Sequence, residues 1–325
     1  MTSPATLVEK GHAEVGGNNR VDKIESLKIY YEIHGRGPNK LFFVMGLNTT
    51  SGSWEYQVKY FGAHPDFQVC IFDNRGVGWS GCSKFVDIFL NNSNLGWVRP
   101  GVTPDTSQMA QDAIGLMEHL EWTENIHVIG ISMGGMIAQE LVLLKPGYVR
   151  SLCLTSTTAG MTIPPIAAIT TITRILFIKD PRIRINALVK ILFTKEWLAE
   201  SAPPGSTHKN NEERIIEDLR NRINRTRLQP VNGAIGQIAA CLLHYVSPMR
   251  LQQIRDSIPQ ILVITGSWDN FVRPNNSFYL AEQLHADFEY WEGCGHVPCG
   301  EQIERYNTAL ENHFKKAGLI HSPRT

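Results

Sequence analysis

Residues 126–144 read Ile126-His127-Val128-Ile129-Gly130-Ile131-Ser132-Met133-Gly134-Gly135-Met136-Ile137-Ala138-Gln139-Glu140-Leu141-Val142-Leu143-Leu144. This stretch decides the fold. Ile126–Ile129 is a short, mostly apolar, β-branched run of the kind that forms a strand covered on both faces. Met133–Leu144 carries helical spacing and is stopped by Lys145-Pro146-Gly147. Between them stands G-x-S-x-G, which a chain of this composition produces by chance about 0.12 times, so its context carries the reading. A serine on a strand-to-helix turn needs a strained backbone, and glycine at both flanks lets that turn form without collisions. The turn lifts the Ser132 hydroxyl out of the sheet edge and over a helix N-terminus, whose free N–H groups favour developing negative charge. The competing reading is a glycine-rich corner with an idle serine.

Outward from this unit the same rhythm recurs. Leu27–Ile33 alternates like a first strand or hairpin arm. Leu41–Val44, Val69–Phe72, Leu152–Leu154, Ile261–Ile264 and Phe288–Trp291 are further short apolar or extended runs. Gln108–Leu120 carries Met109, Ala113, Leu116, Met117 and Leu120 at helical spacing. Alternating strands and helices predict a doubly wound, mostly parallel α/β sheet. The rhythm breaks from Met161 to Met249. Ile185–Trp197 bears an apolar stripe of Ile185, Leu188, Val189 and Leu192, Glu212–Leu228 is highly charged, and Val231–Val246 is mostly apolar, with Ala202–Ser206 a loop. The expected organisation is a first core part over 1–160, an all-helical insertion over 161–249 and a second core part over 250–325.

A serine hydroxyl is a poor nucleophile near neutral pH. It needs a base, and the base needs an orienting acid. Parallel sheets gather such groups at the C-terminal ends of their strands. After Ile261–Ile264 comes Thr265-Gly266-Ser267-Trp268-Asp269, and after Phe288–Trp291 comes Glu292-Gly293-Cys294-Gly295-His296. Asp269 and His296 are therefore the expected acid and base, in the order Ser…Asp…His. The run Thr155-Ser156-Thr157-Thr158 after Leu152–Leu154 offers no carboxylate. Cys294, His296 and Cys299 form a Cys-x-His-x-x-Cys arrangement, but no fourth zinc ligand lies nearby, so no metal or cofactor is expected. An oxyanion hole takes one N–H from the residue after the nucleophile, Met133, and another from the loop after Leu41–Val44, where Leu47 is the expected donor. Asp73-Asn74-Arg75-Gly76-Val77-Gly78-Trp79-Ser80 reads as a tight structural turn with Arg75 bonded to nearby backbone. Its G-x-G lacks the rest of a nucleotide-binding fingerprint.

These residues together resemble the α/β-hydrolase superfamily, from about Leu27 to Phe314. The resemblance implies Ser132 as nucleophile, Asp269 as triad acid, His296 as base, and Leu47 with Met133 as oxyanion donors. Asp73–Ser80 matches the family's D-x-R-G-x-G-x-S turn, and Met161–Met249 falls where the family inserts a cap. The G-x-S-M-G-G elbow looks like that of cofactor-independent haloperoxidase-like esterases and small methyl-ester hydrolases. Where the family often has His-Gly before the oxyanion donor, this chain has Met45-Gly46, which the methyl-ester branch also tolerates. Between Ser80 and Thr106 the stretch is long for a loop and apolar at Phe85–Leu90 and Trp97. Either it packs on the cap at the substrate entrance or it is an insertion peculiar to this chain.

The 325 residues hold 31 basic and 31 acidic side chains, so no net field gathers nucleic acid. No apolar stretch approaches the ~20 residues of a membrane span, and the N-terminus has no secretory h-region. The expectation is a cytoplasmic protein with its six cysteines reduced. Lys179–Leu198 carries net charge +3 beside its apolar stripe, which leaves membrane-surface attachment as a lesser alternative to a pocket roof. The expected function is hydrolysis of a carboxylic ester of an apolar, small-to-medium molecule through an acyl enzyme. Cleavage of a C–C bond in a β-diketone by the same triad, or ligand binding without turnover, are the alternatives. Substrate identity and oligomeric state stay open.

Overall fold

Short apolar runs pair into one eight-stranded sheet, seen in a computed structural model that describes residues 5–16, 26–82, 105–160, 162, 164–178 and 180–320. The strands are β1 (Leu7–Val15), β2 (Leu27–His34), β3 (Asn39–Val44), β4 (Phe67–Phe72), β5 (Ile126–Ile131), β6 (Val149–Thr155), β7 (Ile261–Gly266) and β8 (Asp287–Trp291). Their spatial order is β1-β2-β4-β3-β5-β6-β7-β8. β2 pairs antiparallel with β1 and β4, and every pairing from β4 to β8 is parallel. The parallel strands are apolar on both faces because helices cover both. Phe42, Val44, Val128 and Leu154 point into a core shared with helices α2 (Thr106–His119) and α3 (Met133–Leu144). Leu41, Phe43, Ile129 and Cys153 point into a second core shared with α1 (Glu55–Phe61).

β1 has no clear signal in the sequence. It is an edge strand in which Glu9, Lys10 and Glu14 are exposed while only Ala13 and Val15 are buried. Charges on the outer face of an edge strand blunt unwanted pairing and also mask the alternation that would reveal it. The turn over 73–80 is corrected in one respect. Arg75 does not spend its guanidinium on nearby backbone alone: Nε and Nη2 donate to the two carboxylate oxygens of Asp112 on α2, at 2.5 and 2.6 Å. Both side chains are buried, so losing either would strand the other charge at ~3–5 kcal/mol.

Between β6 and β7 lie α4 (Ile166–Phe177), α5 (Pro181–Leu192), α6 (Lys195–Ala199), α7 (Asn211–Arg225), α8 (Val231–Leu243) and α9 (Pro248–Ser257). The segment Ile185–Trp197 is two helices rather than one. Phe193 is extended, and Thr194 Oγ1 accepts from Trp197 N at 3.4 Å to start α6. Ile185 and Val189 are buried in a small core of their own with Phe193, Leu198 and Ile215. Two of the four stripe residues, Ile185 and Val189, are thus taken up by that core, and Leu192 packs against it. Lys179 lies outside the described residues, as do Phe85–Leu90 and Trp97 of the long stretch after Ser80. Among the described residues no helix is long and apolar enough to cross a membrane. The chain closes with α10 (Pro274–Leu284), α11 (Pro298–Glu301) and α12 (Ile303–Ala317).

Besides His34 on β2, three histidines are buried away from the site: His127 on β5, His244 after α8 and His313 on α12. Burial, and then the neighbouring cations Arg150 and Arg250, push His127 down to about 4 and His244 to about 3. Burial and then His127 push His313 to about 3, and neither of its ring nitrogens has a hydrogen-bond partner. An unfolded chain protonates these rings below about pH 6.5, whereas the folded chain resists until about pH 4–3. The unfolded state thus binds more protons in that window. Their contribution is full above pH 6.5 and is lost as pH falls through it. His313→Met removes one such ring without breaking a hydrogen bond. Urea titrations between pH 6 and 4.5 are expected to give a shallower loss of stability, by about 1.4 kcal/mol per pH unit. An unchanged slope would mean that His313 charges in the folded protein.

Candidate active site

Ser132 follows β5 and opens α3 with φ 56° and ψ −124°. A non-glycine residue in that region stores roughly 1–3 kcal/mol of strain, which the surroundings must hold. Ser132 N donates to Thr155 O at 2.9 Å, and its carbonyl accepts from Gly135 N, Met136 N and Thr157 Oγ1. The flanking glycines are required by close approach. A Cβ on Gly130 would lie 2.4 Å from Gly134 O, and one on Gly134 would lie 2.1 Å from Val44 O. The elbow is thus pressed between β3, β6 and its own helix.

Asp269 and His296 sit at the same edge, after β7 and β8. The His296 Nδ1–H donates to Asp269 Oδ2 at 2.8 Å and Oδ1 at 3.0 Å. Both side chains are nearly inaccessible to solvent. The carboxylate is itself oriented, since Oδ1 also accepts from Phe271 N and Val272 N. The two loops are locked together: Trp268 N donates to Cys294 O, and Gly293 N donates to Ser267 Oγ. Phe271 lies against the His296 ring, centroids 4.9 Å apart. Ser132 is buried at the end of β5, with β6 between it and β7. Among the described residues no hydrogen bond joins its hydroxyl to His296. Cys294 and Cys299 are buried, and burial pushes both thiols up, Cys299 to about 12. Among the described residues no group of three or more His, Cys, Asp or Glu side chains is placed to hold a metal ion.

After β3 the chain turns through Met45-Gly46-Leu47-Asn48 directly over the elbow. A Cβ on Gly46 would lie 3.2 Å from Ser132 Cβ. Met45 O accepts from Asn74 Nδ2 at 2.8 Å, and Asn48 N donates to Gln237 Oε1 at 2.7 Å. Among the described residues the N–H groups of Leu47 and Met133 have no acceptor.

Two groups escaped the sequence reading. Glu301, on α11, accepts from Gly295 N at 2.9 Å and Thr194 N at 3.0 Å, tying the His296 loop to the start of α6. Burial raises its carboxyl above the ordinary range, and those N–H bonds oppose the rise. Gln237, on α8, spans the loop after β3 and the 73–80 turn. A lone Glu or Gln on a helix gives no signal of a partner so distant in sequence.

Residues 38–302 match the family described as serine aminopeptidase, S33. The chain belongs to this α/β-hydrolase family. It is 28% identical over 173 residues to an Azorhizobium caulinodans protein named for carbamate hydrolysis, and that match spans 53% of this chain and only 57% of the relative. It is 26% identical to 3-oxoadipate enol-lactonase 2 of Acinetobacter baylyi, over 85% of this chain and 88% of the lactonase. A solved thermophilic esterase from Thermogutta terrifontis superposes with a TM-score of 0.71 at 20% identity, covering 95% of this chain and 99% of the esterase, a likeness of fold.

Glu301→Ala would leave two buried N–H groups without an acceptor, at about 1–3 kcal/mol each. Urea unfolding is expected to place the variant about 2–4 kcal/mol below the parent. A difference under about 0.5 kcal/mol would mean that water replaces the carboxylate at both groups.

Proposed function

We propose that this hydrolase-family protein is a serine hydrolase cleaving a carboxylic ester of an apolar, small-to-medium molecule. The observation that carries the reading is a strained serine at the same sheet edge as a buried imidazole–carboxylate pair. Ser132 Oγ attacks the ester carbonyl while His296 takes its proton. Asp269 holds Nδ1–H, which leaves Nε2 as the basic nitrogen, and stabilises the imidazolium that forms. In this reading a Ser132–His296 hydrogen bond forms when substrate excludes water. The N–H groups of Leu47 and Met133 receive the oxyanion, each contributing roughly 3 kcal/mol. His296 then protonates the leaving alcohol, and water, activated by the same ring, releases the acid.

The helices between β6 and β7 act in this reading as a cap over the edge, anchored by His296 N donating to Leu192 O at 2.8 Å. Phe271 beside the base favours an apolar substrate. A lactone is a cyclic ester, so the similarity to a lactonase along most of both chains supports the bond class.

A fluorophosphonate probe tests the nucleophile, and a panel of 4-nitrophenyl esters of increasing acyl length tests the bond. The parent is expected to be labelled and Ser132→Ala to be unlabelled. His296→Ala should slow labelling by about 10³-fold or more. Equal labelling of parent and Ser132→Ala would refute the reading. A β-diketone in the same panel, cleaved while every ester survives, would replace ester hydrolysis by C–C cleavage with the same three groups.

A further inference from the structure

We propose that Gln237 is a positioning residue that sets the direction of the Leu47 N–H from outside the α/β core. The inference rests on the reading of Leu47 as an oxyanion donor. Among the described residues the N–H of the peptide between Gly46 and Leu47 has no acceptor, so its orientation is set by its neighbours. On one side Met45 O is held by Asn74 Nδ2 at 2.8 Å. On the other, Asn48 N donates to Gln237 Oε1 at 2.7 Å, with Asn48 itself at φ 53°. Gln237 is buried to 1% exposure, and its Nε2 donates to Arg75 O at 2.8 Å. One side chain therefore fixes the loop after β3 against the 73–80 turn, with both ends of its amide satisfied. If Oε1 is lost, Asn48 N–H loses the acceptor that fixes it, and the flanking peptides are free to turn toward another.

The helix that brings Gln237 to this place is seated by backbone contact. Gly233, one turn earlier on α8, packs on Gly76 so closely that a Cβ would lie 2.2 Å from Gly76 O. Gln229 Nε2 adds bonds to Asn48 Oδ1 at 2.9 Å and Gly76 O at 3.1 Å. α8 is thus fixed in depth by Gly233 and in register by Gln237 and by Gln229 just before it. An oxyanion donor on the loop after β3 inherits its direction from a helix nearly two hundred residues away.

A fluorophosphonate reports on this without a known substrate, because Ser132 Oγ displaces fluoride from phosphorus while the phosphoryl oxygen gathers charge at the oxyanion donors. Gln237→Met keeps the length of the side chain and removes the acceptor. It is expected to lower the first-order labelling constant by about 10–100-fold while the half-saturating probe concentration moves less than about threefold. Gln237→Glu keeps an oxygen for Asn48 N–H and is expected to label within about fivefold of the parent. If the methionine variant does not fold, Gln237→Asn retains an amide one methylene too short to reach Asn48 and carries the same expected drop. Parent-like labelling of Gln237→Met, or of Gln237→Asn in its place, with Ser132→Ala unlabelled, overturns the role of Gln237 alone. Equal slowing in the methionine and glutamate variants also overturns it, since packing rather than the hydrogen bond would then be responsible. Labelling of Ser132→Ala at the parent rate overturns the serine hydrolase reading beneath it.

Discussion

The edge of the sheet depends on one strained residue. Ser132 holds φ 56° only because its carbonyl receives three donors, its N–H is spent on Thr155, and two glycines let β3 and α3 close on it. None of these restraints acts on the hydroxyl. The backbone is over-determined while Oγ stays free, which is the arrangement that lets strain be stored where a side chain must be presented. The same restraints hold the start of α3, whose first orphan donor is Met133 N–H. A relaxed elbow would lose the serine and one donor together.

The strain sits inside a frame that the helices between β6 and β7 help to build. They reach the edge at three separate places. Leu192 O accepts from His296 N, Glu301 bridges the His296 loop to Thr194, and Gln237 bridges α8 to the loop after β3. A fourth tie runs from α7 to the opposite side, where Arg222 donates to Ser53 Oγ and Glu55. These ties are buried or half-buried polar contacts, and their partners cannot be exchanged for water without a cost of about 1–3 kcal/mol apiece. The small core around Ile185 and Val189 supplies the apolar share of the packing within these helices. Position and orientation at the edge come from the polar ties.

What was legible in the sequence divides along the same line. β5, the elbow and α3 announce themselves because each is a local pattern: an apolar run, a glycine-flanked serine, a helical stripe. Asp269 and His296 are legible because a parallel sheet puts the residues after each strand at one edge, and the two do meet at 2.8 Å. β1 was missed because its outward charges break the alternation, and the Arg75–Asp112 pair because composition does not say which buried carboxylate lies across a turn. The break at Thr194 was missed because Phe193 fits an apolar stripe as well in a helix as in an extended corner. Glu301 and Gln237 are the deeper omissions. Their partners are backbone N–H and C=O groups, which every residue offers, so nothing in the sequence distinguishes the pairing until the chain has folded.

That asymmetry separates two kinds of placement. The groups read as doing the chemistry lie on turns after β5, β7 and β8, whose geometry the sheet dictates and which therefore tolerate little change. The residues that aim the loop after β3 lie on an inserted helix, where the only constraint is that α8 keep its depth against Gly76 and its amide within reach of Asn48. If Gln237 aims Leu47 as proposed, moving α8 outward would also turn the Leu47 N–H.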